Sequence, residues 1–334
     1  MARSSGFSPR LSPRPKQASG WKILRKALTS HIRVPFLCAL ACKIFFPLYH
    51  RAATWFNERE WSERTFFCVS VTLVHVVLYF GMNSIFLYWD RQGIFERYKL
   101  DRSEAMGPTD SLIRKTWVEA AIGQLLVGPV ALYYIYPAFK YFGSPVATAP
   151  LPNFTNMMLS LWIAYAANDI LFYWAHRLAH SSVLYKRVHK QHHEYKGTIG
   201  FAAEYAGVIE TITSNQIPTI LGCLLVGCHF HILLIWLAAR LEETYEAHSG
   251  YCFYGTWLHS IGLTNSEHTA YHDFHHTNNR GNFGGGDLLD HLFGTQDAWL
   301  AVGGIEGYIA KRRRKNALNR PSVRREIDRQ AKHR

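Results

Sequence analysis

The chain has 334 residues, 48% of them hydrophobic and 18% charged, with a formal net charge of +13; this length admits one large domain or two. Its six cysteines include no CxxC pair, which argues against a disulfide framework, and no P-loop, dinucleotide fingerprint or haem-binding motif occurs. The basic excess needs no nucleic-acid partner, because attraction of basic tails to anionic lipid accounts for it once apolar runs are recognised beside them.

Residues 1–33 scatter Arg3, Arg10, Arg14, Lys16, Lys22, Arg25 and Lys26 among Ser, Pro and Gly, with no continuous apolar stretch and no small-residue cleavage site. That composition reads as a disordered basic cytosolic tail, not a signal peptide. Apolar runs then follow at 34–49, 66–88, 118–139, 157–175 and 217–239. A helix of about twenty such residues crosses a hydrocarbon core of about 30 Å. The expected fold is therefore all-α: a polytopic membrane helical bundle with a cytosolic histidine-rich helical cap holding a two-metal site. Transmembrane helices are expected over 34–153, the catalytic region over 154–300, and a basic C-terminal tail over 301–334, which carries Lys311, Arg312, Arg313, Arg314 and Lys315.

The chemistry lies in three histidine clusters: His176 and His180; His189, His192 and His193; and His272, His275 and His276. Residues three or four apart share a helix face, so each cluster can aim its ring nitrogens at one point. Neutral imidazole suits Fe, Zn, Cu and Ni, and eight imidazoles exceed what one ion accepts. His248 is a ninth candidate ligand and His268, one turn before His272, a tenth. Asp169, two turns before His176, is a candidate acceptor for the outer ring N–H of a ligand. His229 and His231 lie inside an apolar run and His259 lacks a cluster, so packing or solvent exposure explains these three.

Ligands of one site must share one side of the membrane. With the N-terminal tail cytosolic, four crossings return the chain to the cytosol at His176, as the charge bias of the loops also favours. A fifth crossing would strand the third cluster. Residues 208–241 are therefore expected to turn back as a broken hairpin or to lie at the interface, with Pro218, Gly222 and Gly227 as breakpoints.

The motifs HRxxH at His176, HKxHH at His189 and HDxHH at His272 resemble those of the fatty acid hydroxylase and sterol desaturase superfamily. The likeness extends through DILFYWAHRLAH, FAAEYAGVIE from Phe201, HSGY from His248, and NFG followed by DHLFGT, and covers roughly residues 168–295. AEYA with a downstream Glu, together with HSGY, is most similar to the C-4 methylsterol oxidases. Departures occur at 197–200, at Gly207 and Val208, and at His268, Thr269 and Ala270, where those enzymes carry other residues.

The resemblance implies a non-haem di-iron oxygenase of the endoplasmic reticulum membrane, with histidine boxes and both termini cytosolic. It would hydroxylate an unactivated C–H bond of a lipid, a sterol C-4 methyl group foremost. Zinc has no redox chemistry with which to activate O₂, so iron is the metal implied. The chain has no electron carrier of its own, and cytochrome b5 or an equivalent donor with an NAD(P)H-dependent reductase is implied as partner. Rival readings are another lipid hydroxylase or a desaturase of the same superfamily, and a membrane metal-binding protein.

Overall fold

A helix begins where a side chain can satisfy its unpaired first-turn N–H groups, and three of the long helices start that way. The Ser62, Thr109 and Asn153 side chains accept from the backbone N–H of Thr65, Leu112 and Asn156, at 3.1, 3.2 and 2.9 Å. In this computed structural model, which describes residues 20–100, 108–145 and 148–319, α1 spans Gly20–Glu58 and α2 Glu63–Gln92. Helix α3 runs over Asp110–Tyr141 through a π turn at Gly123–Val127. The other α-helices of six residues or more are α4 (Phe154–Ala179), α5 (Ile217–Leu225), α6 (Phe230–Ser249), α7 (Ser266–Asn278), α8 (Asp287–Leu292) and α9 (Gly304–Asn319). No strand occurs among the described residues.

Three of these helices, α1, α2 and α3, are long and apolar enough to cross a membrane. Their outward faces are apolar too: Leu40, Ile44, Leu73, Val77, Leu126 and Val130 are exposed, as a lipid-facing surface requires. Three expectations change, one of them at the C-terminal tail expected over 301–334, where Gly304–Asn319 is α9 and its buried Tyr308 and Arg312 donate to Asp273 of α7 at 2.6 and 3.2 Å. The stretch 20–33, read as tail, is helical and belongs to α1. Its Ile23 and Ala27 are buried and its Lys26 pairs with Glu267 and Asp287, packing that composition does not reveal. The run 157–175 forms α4 but is not among the three apolar candidates, because Asn168 and Asp169 interrupt it.

The last apolar run is split. Gly227, at φ +54°, turns the chain between α5 and α6, and a Cβ there would sit 2.3 Å from the Phe142 carbonyl oxygen. The two helices return alongside each other, with Trp236 Nε1 donating to the Thr219 carbonyl at 2.8 Å. Of the three expected breakpoints, Gly227 makes the reversal. Pro218 sits in the first turn of α5, after a π turn at Thr211–Gln216. Gly222 lies inside α5, where it lets that helix rest flush on α4.

The reversals after α1, α3 and α5 meet at one end of the bundle. There the Tyr136 hydroxyl donates to Glu63 at 3.1 Å, and the Phe230 N–H donates to the Pro145 carbonyl at 2.9 Å. Phe66, Phe67, Phe230 and Trp236 fill the core between them. The C-terminal ends of α4 and α6 point the other way and meet α7 there. Every histidine cluster therefore arrives at the same end of the bundle as the start of α1.

Candidate metal centre

Each ligand candidate is placed by a short stretch of backbone. His176 and His180 occupy successive turns at the end of α4. His189 closes a π turn, Tyr185–His189, and His192 and His193 open a 3₁₀ turn, His192–Glu194. His248 lies in the last turn of α6, and α7 carries His272, His275 and His276.

These nine imidazoles form two groups. His176, His180, His189, His193 and His275 make one; His192, His248, His272 and His276 make the other. Within each group the ring nitrogens lie within 4.8 Å of one another. In the first, Nε2 of His189 is 3.2 Å from that of His176 and 3.0 Å from that of His193. Nε2 of His275 is 3.1 Å from those of His180 and His193. In the second, Nε2 of His272 is 2.9 Å from that of His248 and 3.1 Å from that of His276.

The outer nitrogens decide what faces inward. Nδ1 of His176, His248, His275 and His276 contacts the carbonyl oxygens of Phe283, Thr244, Gly281 and Tyr195 at 2.8, 2.8, 2.7 and 3.1 Å. A carbonyl only accepts, so Nδ1 carries the hydrogen and the neutral ring turns an Nε2 lone pair inward. Nδ1 of His189 is likewise 2.7 Å from Glu210. Burial, reinforced by neighbouring imidazoles, holds the pKa of His192, His272, His275 and His276 well below the usual histidine range. Lone pairs about 3 Å apart in a buried site, with protonation disfavoured, repel one another. A cation between them removes that repulsion, and two groups of five and four imidazoles match two borderline divalent ions.

Two sequence candidates stand apart. Asp169 contacts none of the nine; its carboxylate lies 3.7 Å from His31 of α1. His268 lies outside both groups, with Nδ1 3.4 Å from Glu243. Both line a cavity of about 390 Å³ between the start of α1 and the cap, which touches none of the nine, and His268 also lines a smaller chamber together with His248 and His272. His229 and His231 sit near the far end of the bundle, against the carbonyls of Ala149 and Cys42 at 3.0 Å each, as their packing role requires. Glu210 is the residue that the candidate set lacks. The FAAEYAGVIE segment contains it, but an isolated Glu has no spacing relation to a histidine that would single it out.

Beside the second group lies a smaller chamber of about 30 Å³, lined by His189, His192, His248 and His272 together with Phe172, Ser214 and Arg240. Exposed Val208, Ile209 and Ile212 flank the segment that carries Ser214.

A family model described as fatty acid hydroxylase matches residues 161–295. A Dictyostelium discoideum protein named "putative methylsterol monooxygenase" is 33% identical over 245 residues, 72% of this chain and 89% of that protein. A very-long-chain aldehyde decarbonylase of Oryza sativa subsp. indica is 32% identical, over 70% of this chain and 87% of its own. Fatty acid hydroxylase domain-containing protein 2 of Homo sapiens is 29% identical, over 78% and 75%. No solved structure matches.

Proposed function

Because this chain belongs to the fatty acid hydroxylase family, we propose that it is a membrane-bound, O₂-dependent oxygenase that hydroxylates an unactivated C–H bond of a lipid, foremost a sterol C-4 methyl group. The observation that carries this reading is the convergence of nine imidazoles, eight of them buried, into two groups, with the outer nitrogens of His176, His189, His248, His275 and His276 held by acceptors.

His176, His180, His189, His193 and His275 hold one iron, and His192, His248, His272 and His276 the other. When bound, two irons supply the redox chemistry by which one atom of O₂ enters the C–H bond and the other leaves as water, with two electrons and two protons. The protein's own residues supply geometry. The carbonyls of Phe283, Thr244, Gly281 and Tyr195 fix the ring orientation of their histidines, and Glu210 fixes His189. Phe172 and Ala203 make the chamber partly apolar and limit the water beside the reacting carbon. The exposed apolar flank at Val208, Ile209 and Ile212 suits lipid entry from the bilayer.

Electrons come from cytochrome b5 or an equivalent carrier with an NAD(P)H-dependent reductase, docking on the cytosolic face of the endoplasmic reticulum membrane, where both termini and the histidines lie. The arrival of all clusters at the end of the bundle where α1 begins supports this topology. A second reading, an aldehyde as substrate, is favoured by the similarity to the aldehyde decarbonylase.

The test is lipid analysis of a host lacking its own methylsterol oxidase, with and without this chain, beside metal analysis of the purified protein. Loss of accumulated 4-methylsterols with two irons per chain supports the proposal. Full activity in iron-free protein would sink the di-iron centre. An unchanged sterol pool with a new hydroxylated lipid, or with alkane formed from added aldehyde, moves the substrate elsewhere in the family.

A further inference from the structure

The chamber beside the histidines is small and polar along one wall. One water-sized group needs roughly 10–15 Å³ of such space, so about 30 Å³ holds two. Arg240 of α6 faces this space together with His189, His192, His248 and His272. The arginine is 8% exposed, its Nη1 is paired with Glu243, and its guanidinium lies 5.9 Å from the Trp236 ring. Its Nε–H is buried without a hydrogen-bond partner.

A buried donor left unpaired is destabilising, and a guanidinium offers donors only. The missing partner is therefore an acceptor. Glu243 already balances the charge, which favours a neutral oxygen over an anion. We infer that Arg240 receives a hydroxyl or carbonyl oxygen of the lipid substrate, about two or three bonds from the carbon that is oxidised. This rests on the oxygenase reading above and narrows its substrate class. With room for about two groups, an oxygen at Arg240 and a C–H bond at the histidines belong to neighbouring atoms of one molecule. A plain alkyl chain oxidised far from any oxygen leaves the Nε–H unpaired. The rest of the lipid leaves past Ser214 towards exposed Ile212.

The test is equilibrium binding to the metal-loaded, detergent-solubilised protein kept anaerobic, so that no turnover occurs. Two matched pairs serve as probes: a 4,4-dimethylsterol with its 3-deoxy analogue, and a long-chain aldehyde with the alkane of equal length. Wild type is expected to bind the oxygen-bearing member of one pair about ten- to a hundred-fold more tightly, and which pair shows this separates hydroxyl from carbonyl. Arg240→Lys keeps a cation opposite Glu243 but lacks the Nε–H. Its ratio falls to about one, while affinity for the oxygen-free member and the melting temperature hold, which a purely structural role would not produce. Equal affinities within both pairs in wild type overturn the assignment, whether or not a variant folds. So does a ratio that survives in Arg240→Lys. Failure of all four lipids to bind overturns this assignment, while the oxygenase reading is decided separately by the lipid and metal analysis of the host and the purified protein.

Discussion

His192 and His193 are adjacent in the chain, yet their rings belong to different groups. Nε2 of His192 lies 3.4 Å from that of His248, while Nε2 of His193 lies 3.0 Å from that of His189. The 3₁₀ turn at His192–Glu194 splays the two rings to an interplanar angle of 87°. The pair thus links the two candidate metal positions through one peptide bond. We predict that His192→Ala and His193→Ala each abolish product and each lower bound metal by about one ion per chain, drawn from different groups. The double variant should then lose both ions. Elemental analysis of the purified variants checks this, and single variants that keep two tightly bound ions would refute the division.

Glu210 and Asp169 make a paired comparison. Glu210 is 3% exposed and holds Nδ1 of His189, so Glu210→Ala removes the acceptor that orients this ring. Loss of such an acceptor typically lowers metal affinity or activity about 10- to 100-fold. Asp169→Asn should leave metal content at the wild-type level, since Asp169 reaches His31 and none of the nine imidazoles. Metal titration of both variants decides the matter, and the opposite ranking would restore Asp169 as the supporting carboxylate.

That comparison also marks where the sequence stops being informative. Seven residues bring Asp169 back to the helix face of His176, but they also separate the two by about 10 Å along the axis, beyond a hydrogen bond. Periodicity reports direction and not reach. The clusters themselves were legible because His176 and His180, or His272 and His276, sit one turn apart. Their division into two groups was not, because it depends on the π turn ending at His189 and on tertiary placement of His248. The hairpin at Gly227 followed from the requirement that all ligands share a side. The helical start of α1 did not, since Lys26 is held by Glu267 and Asp287, more than two hundred residues away.

Gly222 offers a test of the packing that positions α4. A Cβ on Gly222 would lie 2.7 Å from Cα of Ala164 and 3.1 Å from the Ile163 carbonyl oxygen. Backbone cannot yield as a flexible side chain can. Gly222→Val is expected to destabilise the protein by about 1–3 kcal/mol as an overpacked contact and to displace α4, whose last turns carry His176 and His180. Thermal melting in detergent should show the loss, with weaker metal retention beside it. A variant that melts with wild type would mean that α4 and α5 do not lie this close.

Asp290 pins the loop behind the five-histidine candidate metal site without touching the histidines. Its carboxylate accepts from the backbone N–H of Phe283 at 2.9 Å and of Gly284 at 2.7 Å, and from the Thr295 hydroxyl at 2.6 Å, and it is fully buried. The loop so pinned presents the Phe283 carbonyl to His176 and the Gly281 carbonyl to His275, both in the five-histidine group. Asp290→Ala leaves two buried N–H groups unpaired, a loss of about 1–3 kcal/mol each, and frees the carbonyls that fix two ring tautomers. The five-histidine group should therefore lose its ion at lower chelator concentration than in wild type, while the group containing His248 keeps its own. Asp290→Asn, which retains one acceptor oxygen, should fall between. Stepwise chelation followed by metal analysis reads the order of loss directly, and loss of both ions together in Asp290→Ala would show that the loop supports the whole cap and not one group of it.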